Sequence, residues 1–228
     1  MMKKIILLIF ICAGFLAAQT FKAEKVKGNV EAQIGTSENW ISIADGKSLP
    51  ANAVVSTGKN SFVQLSDNNI NFKLQSSSAL PLSSIKKMTV NDLILALAME
   101  DMLNAPKKKE ELNSKNTAVY GTEINGIKAP IVESDNFGIK RLNGAVQLAE
   151  SGFKESAVVE AKDTYRKYPE TNKIAAFRIY FANILFNLGL NEDAYDDFKS
   201  IQSLNMNKDQ QAEVKNKMEI LAKKLLKN

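Results

Sequence analysis

The chain of 228 residues has no histidine, one cysteine, one tryptophan and five prolines. Without histidine there is no His-based triad and no His/Cys site for zinc or copper. The lone cysteine is Cys12, so no disulfide forms within the chain and no c-type haem attaches through a cysteine pair. Glycine-rich phosphate loops are missing as well, because Gly121-Thr122-Glu123 and Gly126 lack the spacing of a phosphate cradle. Arginine occurs only at Arg141, Arg166 and Arg178, and the formal charge of +5 is a diffuse lysine excess with no basic stripe. That pattern argues against a nucleic-acid partner. Neighbouring acids such as Glu100-Asp101 and Asp196-Asp197 point in different directions on a helix and make no catalytic pair. Only a carboxylate pair assembled from distant segments stays open. The expectation is a non-enzymatic protein with no cofactor and no metal.

What is present begins with an address. Met1 to Lys4 give a short positive start, Ile5 to Phe15 an apolar run, and Leu16-Ala17-Ala18-Gln19 a small-residue end, which is the order of a secretory signal peptide. The run is shorter than the roughly 20 residues a membrane-spanning helix needs. Residues 1–18 are therefore expected to be removed after Ala18, leaving an exported chain, periplasmic or associated with the cell envelope. Retention of the segment as an anchor is the alternative. Lipidation at Cys12 is disfavoured by Ile9-Phe10-Ile11, where small residues are required.

The following residues switch between two periods. From Phe21 to about Leu82 short β-branched or alternating segments recur: Val26 to Ile34, Trp40 to Ile43, Ala53 to Ser56, Ser61 to Ser66 and Ile70 to Leu74. Gly28-Asn29, Asp45-Gly46, Gly58-Lys59-Asn60 and Asp67-Asn68-Asn69 supply turn chemistry between them. The order Gly28-x-Val30, Trp40-x-Ser42-Ile43, Asp45-Gly46-x-x-Leu49, Val54-x-Ser56-Thr57-Gly58-x-Asn60-Ser61 and Val63-x-Leu65-x-Asp67 resembles the periplasmic FecR-type domain. Thr117-Ala118-Val119-x-Gly121-Thr122-Glu123 resembles that family's closing strand, with Tyr120 where arginine is usual. The resemblance implies an all-β domain over residues 21–128, a sandwich or solenoid, that displays a binding surface or relays a signal. Gly58 and Asn60 are read as turn formers and Trp40 as a core anchor.

Before the closing strand an apolar helix is inserted, over residues 89–105. Thr89 and Asp92 offer a capping box. Val90, Leu93, Ile94 and Leu97 make one stripe, and Leu95, Met99, Met102 and Leu103 a second on the opposite side. A helix apolar all round must be covered. The expectation is a helix sandwiched between the two domains, or a dimer or partner interface through Leu95, Met99 and Met102.

From about Ile139 the period becomes helical, and the segment repeats itself. A shift of 37 residues superposes Arg141 on Arg178, Ala145 on Ala182, Leu148 on Leu185, Gly152 on Gly189, Glu155 on Glu192, Ala157 on Ala194 and Lys162 on Lys199. Such a period means stacked supersecondary units. Ala145-x-x-Leu148-x-x-x-Gly152-x-x-x-x-Ala157, closing on Tyr168-Pro169, resembles a tetratricopeptide repeat, although Met206 stands where the second unit would close on proline. The C-terminal domain, 139–228, is thus expected to be all-α, tetratricopeptide-like helical hairpins with a capping helix over 207–227, and the whole chain an α+β two-domain protein. Thr171 or Asn172 is the expected cap of the helix that follows. The resemblance implies a concave groove for an extended peptide or helix, lined by Ala176, Tyr180, Asn183 and Asn187, with Asn143, Val146 and Glu150 on the matching face of the first unit. The function expected is an envelope scaffold or adaptor that binds another protein or peptide, with a homodimer through the 89–105 helix as one form. A glycan-binding module and a signal relay are the alternatives.

Overall fold

The computed structural model describes residues 19–67, 70–103, 120–124 and 127–226, so the expected signal peptide 1–18 and residues 104–119 lie outside the described residues. In chain order the first strands are β1 (Thr20–Lys27), β2 (Val30–Ile34), β3 (Trp40–Ser42), β4 (Ser48–Pro50), β5 (Ala53–Thr57), β6 (Phe62–Asp67), β7 (Ile70–Leu74) and β8 (Ala79–Pro81). They form two antiparallel four-stranded sheets, ordered β4-β1-β6-β7 and β3-β2-β5-β8. Alternation decides which face each strand buries: Phe72 and Leu74 are inside, whereas Asn71 and Lys73 face water. Phe21, Leu49, Val63, Leu65 and Phe72 of one sheet join Val30, Ala32, Val55 and Leu80 of the other in one core.

The chain changes sheet five times, at β1–β2, β3–β4, β4–β5, β5–β6 and β7–β8, and turn residues explain two of these corners. The stretch 26–34, expected as one strand, is broken because Gly28 takes a φ of +76°, a conformation open to glycine at no steric cost. A Cβ there would stand 2.3 Å from Ser61 Oγ. That hydroxyl accepts a hydrogen bond from the Asn29 amide at 2.8 Å and donates to the Lys59 carbonyl, tying the β1–β2 corner to the β5–β6 corner, where Asn60 also has positive φ. Asn60 is therefore a turn former, as expected, whereas Gly58 lies just before the turn and pairs by backbone bonds with Asn29 and Ser77. Trp40 is not the expected core anchor. It lies on an edge strand, is 37% exposed and meets the edge of the Phe137 ring, with centroids 5.6 Å apart.

Next comes α1 (Val90–Leu103), then a hairpin of β9 (Tyr120–Ile124) and β10 (Ile127–Ile131). Among the described residues this hairpin joins neither large sheet, so the segment expected to close the β domain pairs with its own neighbour instead. The helices are α2 (Phe137–Glu150), α3 (Lys154–Lys167), α4 (Ala175–Asn187), α5 (Asn191–Ile201) and α6 (Lys208–Leu225). The layout is α+β, with antiparallel sheets in the N-terminal half and helical hairpins in the C-terminal half.

The 37-residue repeat is visible bond by bond. The Phe153 amide donates to the Leu148 carbonyl, and the Leu190 amide to Leu185; the Gly152 amide donates to Ala149, and the Gly189 amide to Phe186. Both glycines have positive φ, +91° and +82°, closing the helix before each turn. Arg141 pairs with Glu160 and Arg178 with Asp197, so the ion pairs repeat with the same spacing. In α6, Asn207 and Gln210 form a capping box at the start of the expected last helix, and Val214 and Leu221 are buried. Neither Thr171 nor Asn172 caps α4. Both lie in a 3-10 turn over Pro169–Lys173, and Ile174 occupies the N-cap without a side-chain bond.

Helices and sheets share one continuous core. α2 lies directly on β8, and a Cβ at Gly144 would stand 2.2 Å from the Ala79 carbonyl oxygen. No helix of the described residues is long and apolar enough to cross a membrane.

Candidate functional site

The expected groove is filled by the chain itself. Tyr180 and Asn183 are buried and only Asn187 is exposed, because one side of α4 packs against β10. Asn183 Nδ2 donates to the Ile179 carbonyl and to Glu213 Oε1 at 2.7 Å, so it binds α6 and its own helix rather than a ligand. Burial pushes the Tyr180 hydroxyl above its ordinary pKa, and the Glu150 carboxylate adds to the shift. In the first unit Asn143 and Val146 are buried too. Asn143 Oδ1 accepts from the Val132 amide at 3.0 Å, and its Nδ2 donates to the carbonyls of Val132 and Ser77. Gln147 Oε1 accepts from the Gln75 amide, and its Nε2 donates to Ser78 Oγ, each at 2.7 Å. The backbone-reading chemistry expected of these asparagines is present, but Asn143 reads the chain's own extended segments and Asn183 its own helix. A partial signal existed in the sequence: α4 is as apolar all round as α1, and such a helix calls for cover on more than one side.

The face left open is on α1. Thr89 and Asp92 close the expected capping box, with the Asp92 amide on Thr89 Oγ1 and the Thr89 amide on Asp92 Oδ2. The backbone and hydroxyl bonds from Thr89 hold the Asp92 carboxyl below its ordinary value. Leu93 and Leu97 are buried as α1 packs on α3, and Arg166 Nε donates to Glu100 Oε2 at 3.0 Å. One side is thus pinned. On the other, Leu95 is 64% exposed, Met99 58%, Met102 79% and Leu103 62%, with Ile94 beside them at 47%. Among the described residues the helix is not sandwiched between the two halves: it touches them along one stripe, through Leu93 and Leu97.

Beside α1 a cleft of about 340 Å³ opens between the β8 loop and α3. At its floor Arg141 Nε donates to Glu160 Oε1 at 2.8 Å, Arg141 Nη2 to Asp163 Oδ2 at 3.0 Å, and Ser84 Oγ to Glu160 Oε2 at 2.8 Å. Burial pushes the Glu160 carboxyl up, against the pull of Arg141 and Ser84. Burial also works against the Arg141 charge, but the Glu160 and Asp163 carboxylates outweigh it and raise its pKa. Because these groups already satisfy one another, the cleft floor acts as a bolt between α2, α3 and the β8 loop. No three acidic, histidine or cysteine side chains among the described residues come together to hold a metal ion.

Comparison with protein-family models, with curated proteins and with solved structures returns no match.

Proposed function

We propose that the protein is an exported, non-enzymatic adaptor of the cell envelope that holds another envelope protein or peptide through the apolar face of α1. The observation that carries this reading is the row Leu95, Met99 and Met102 standing in water on a helix whose opposite side is anchored. Each such side chain forgoes about 1.5–3 kcal/mol of burial, and contiguous apolar surface of this kind marks interaction sites. The lack of histidine, and of cysteine after Cys12, favours binding over catalysis. A FecR-type β domain followed by tetratricopeptide-like hairpins is the domain assignment that fits this role, supported by the motif order and the 37-residue duplication. Because the face that carries Tyr180 and Asn183 is buried, with α4 packed on β10 and Asn183 bonded to Glu213 of α6, the adaptor works through α1 and not through the helical groove. A photo-crosslinking side chain at Met102, compared with one at exposed Gln202, tests it in envelopes of producing cells. The expected result is one discrete adduct at Met102 that Leu95→Glu abolishes, whereas equal adducts at both positions reject the reading.

A second reading, an envelope glycan-binding module, is favoured by the half-exposed ring of Trp40, which continues through Phe137 to Tyr168. The rings meet edge to face, so they offer a corner rather than a flat stacking platform. Glycan retention unchanged in Trp40→Ala would remove this reading.

A further inference from the structure

Taking α1 as the binding face of the adaptor proposed above, we infer that the partner of this face is a second copy of the same chain, held in an antiparallel α1–α1 pair. Leu95, Met99 and Met102 are spaced four and three residues apart, the spacing that keeps apolar side chains on the seam between two helices. A seam of this kind fits a helix better than a strand or a glycan. Ala98, also exposed, keeps the middle of the seam low, so two backbones can approach there.

The seam is self-complementary. Around a two-fold axis between Ala98 and Met99, Leu95 of each copy meets Met102 of the other, and the two Met99 side chains lie against each other beside the two alanines. A two-fold contact needs one patch that matches itself, and this row does. Unbranched methionine side chains adjust to the irregularities of such a surface. No lysine or arginine stands on α1. Of its three carboxylates, Asp92 is held by the Thr89 cap and Glu100 by Arg166. Exposed Asp101 lies on the side toward Asp193, off the seam, so closing the seam buries none of them unpaired.

The area is sufficient. Five large side chains between about half and four-fifths exposed present roughly 500–600 Å² per copy, at the upper limit of what a monomer leaves open. Two copies would bury at most about 1,000–1,200 Å² if Ile94 and Leu103 on the flanks are covered along with the central row, the lower end of specific interfaces. Helix α1 is 14 residues long, two heptads, which limits the contact to one seam and makes the dimer reversible.

The chain from Gln19 onward carries every described residue and lacks Cys12, so light scattering and a single introduced thiol test the proposal. The expected result is twice the monomer mass at about 100 μM, an increase of roughly 100-fold or more in the dissociation constant for Met99→Glu, and an unchanged circular dichroism spectrum for that variant. Met99→Cys is expected to form a disulfide-linked dimer under mild oxidation, and Gln202→Cys to stay unlinked. A monomer at about 100 μM, or a dimer that survives both Met99→Glu and Leu95→Glu, overturns self-pairing. A monomer that still gives the Met102 envelope adduct leaves the adaptor standing without self-pairing. A dimer broken by Met99→Glu, whose Met102 adduct joins only two copies of the chain, leaves self-pairing standing without the adaptor.

Discussion

Arg141 and Glu160 show what a buried charge does in this molecule. Their side chains are 7% and 4% exposed, so neither charge is rescued by water if its partner is lost. Glu160→Ala is expected to lower unfolding stability by about 3 kcal/mol, while the double change Arg141→Met with Glu160→Leu recovers most of that loss; denaturant titration of the three variants measures it. Tyr165 is the opposite case. Its hydroxyl is buried without a hydrogen-bond partner among the described residues, and burial raises its pKa. Removing that oxygen in Tyr165→Phe is expected to raise stability by about 1 kcal/mol, read as a higher melting temperature. The repeated arginines were legible because their letters recur 37 residues apart. Their partners were not, since Glu160 and Asp197 differ in letter and keep only the charge.

Elements were more legible than their surroundings. The period of two over residues 70–74, the capping boxes at Thr89 and Asn207 and the turns at Gly152 and Gly189 all act over a few residues, so the sequence alone places them. Gly152 and Gly189 have positive φ, and a Cβ added at either would meet nothing within 4 Å. Each Gly→Ala change there is expected to cost only the left-handed backbone penalty, about 1–2 kcal/mol. Gly144 is different, because its Cβ would strike a backbone oxygen that cannot move aside. Gly144→Ala is expected to cost about 3 kcal/mol and to loosen α2 from β8, seen as faster amide exchange in both. Nothing in the local sequence marks Gly144 for that role, since the clash partner, Ala79, is 65 residues away.

At the scale of the molecule, the continuous core predicts one cooperative unfolding transition. Calorimetric and van't Hoff enthalpies should agree for the chain from Gln19 onward, and two separated transitions would refute a shared core. For the same reason a chain truncated before residue 139 is expected to aggregate, because it exposes the β8 face that α2 covers. Acid stability follows from the carboxylates. Burial pushes the Asp163 carboxyl up, but Lys167 and Arg141 outweigh it and hold it below 3.8. Its contribution is therefore complete above that value and lost as pH falls through the lower folded value. Glu160, raised above 4.5, acts with opposite sign: its ionisation costs stability above the raised value, and that cost disappears as pH falls toward 4.5. Melting temperature should therefore hold or rise slightly on mild acidification and drop below about pH 3.8, and Asp163→Asn should flatten that drop.

The amino-acid order by itself determined the α+β layout, the turn at Asn60, the duplicated hairpins and the fact that α1 has more apolar surface than one neighbour can cover. Each of these rests on periodicity or turn chemistry that acts within a few residues. Which apolar face stays open was decided only by the tertiary structure. Tyr180 and Leu95 both stand on helices apolar all round, and it is the docking of β10 on α4 that covers the first and leaves the second in water. Contacts between segments distant in sequence, made by backbone rather than by marked side chains, leave no period in the chain to read.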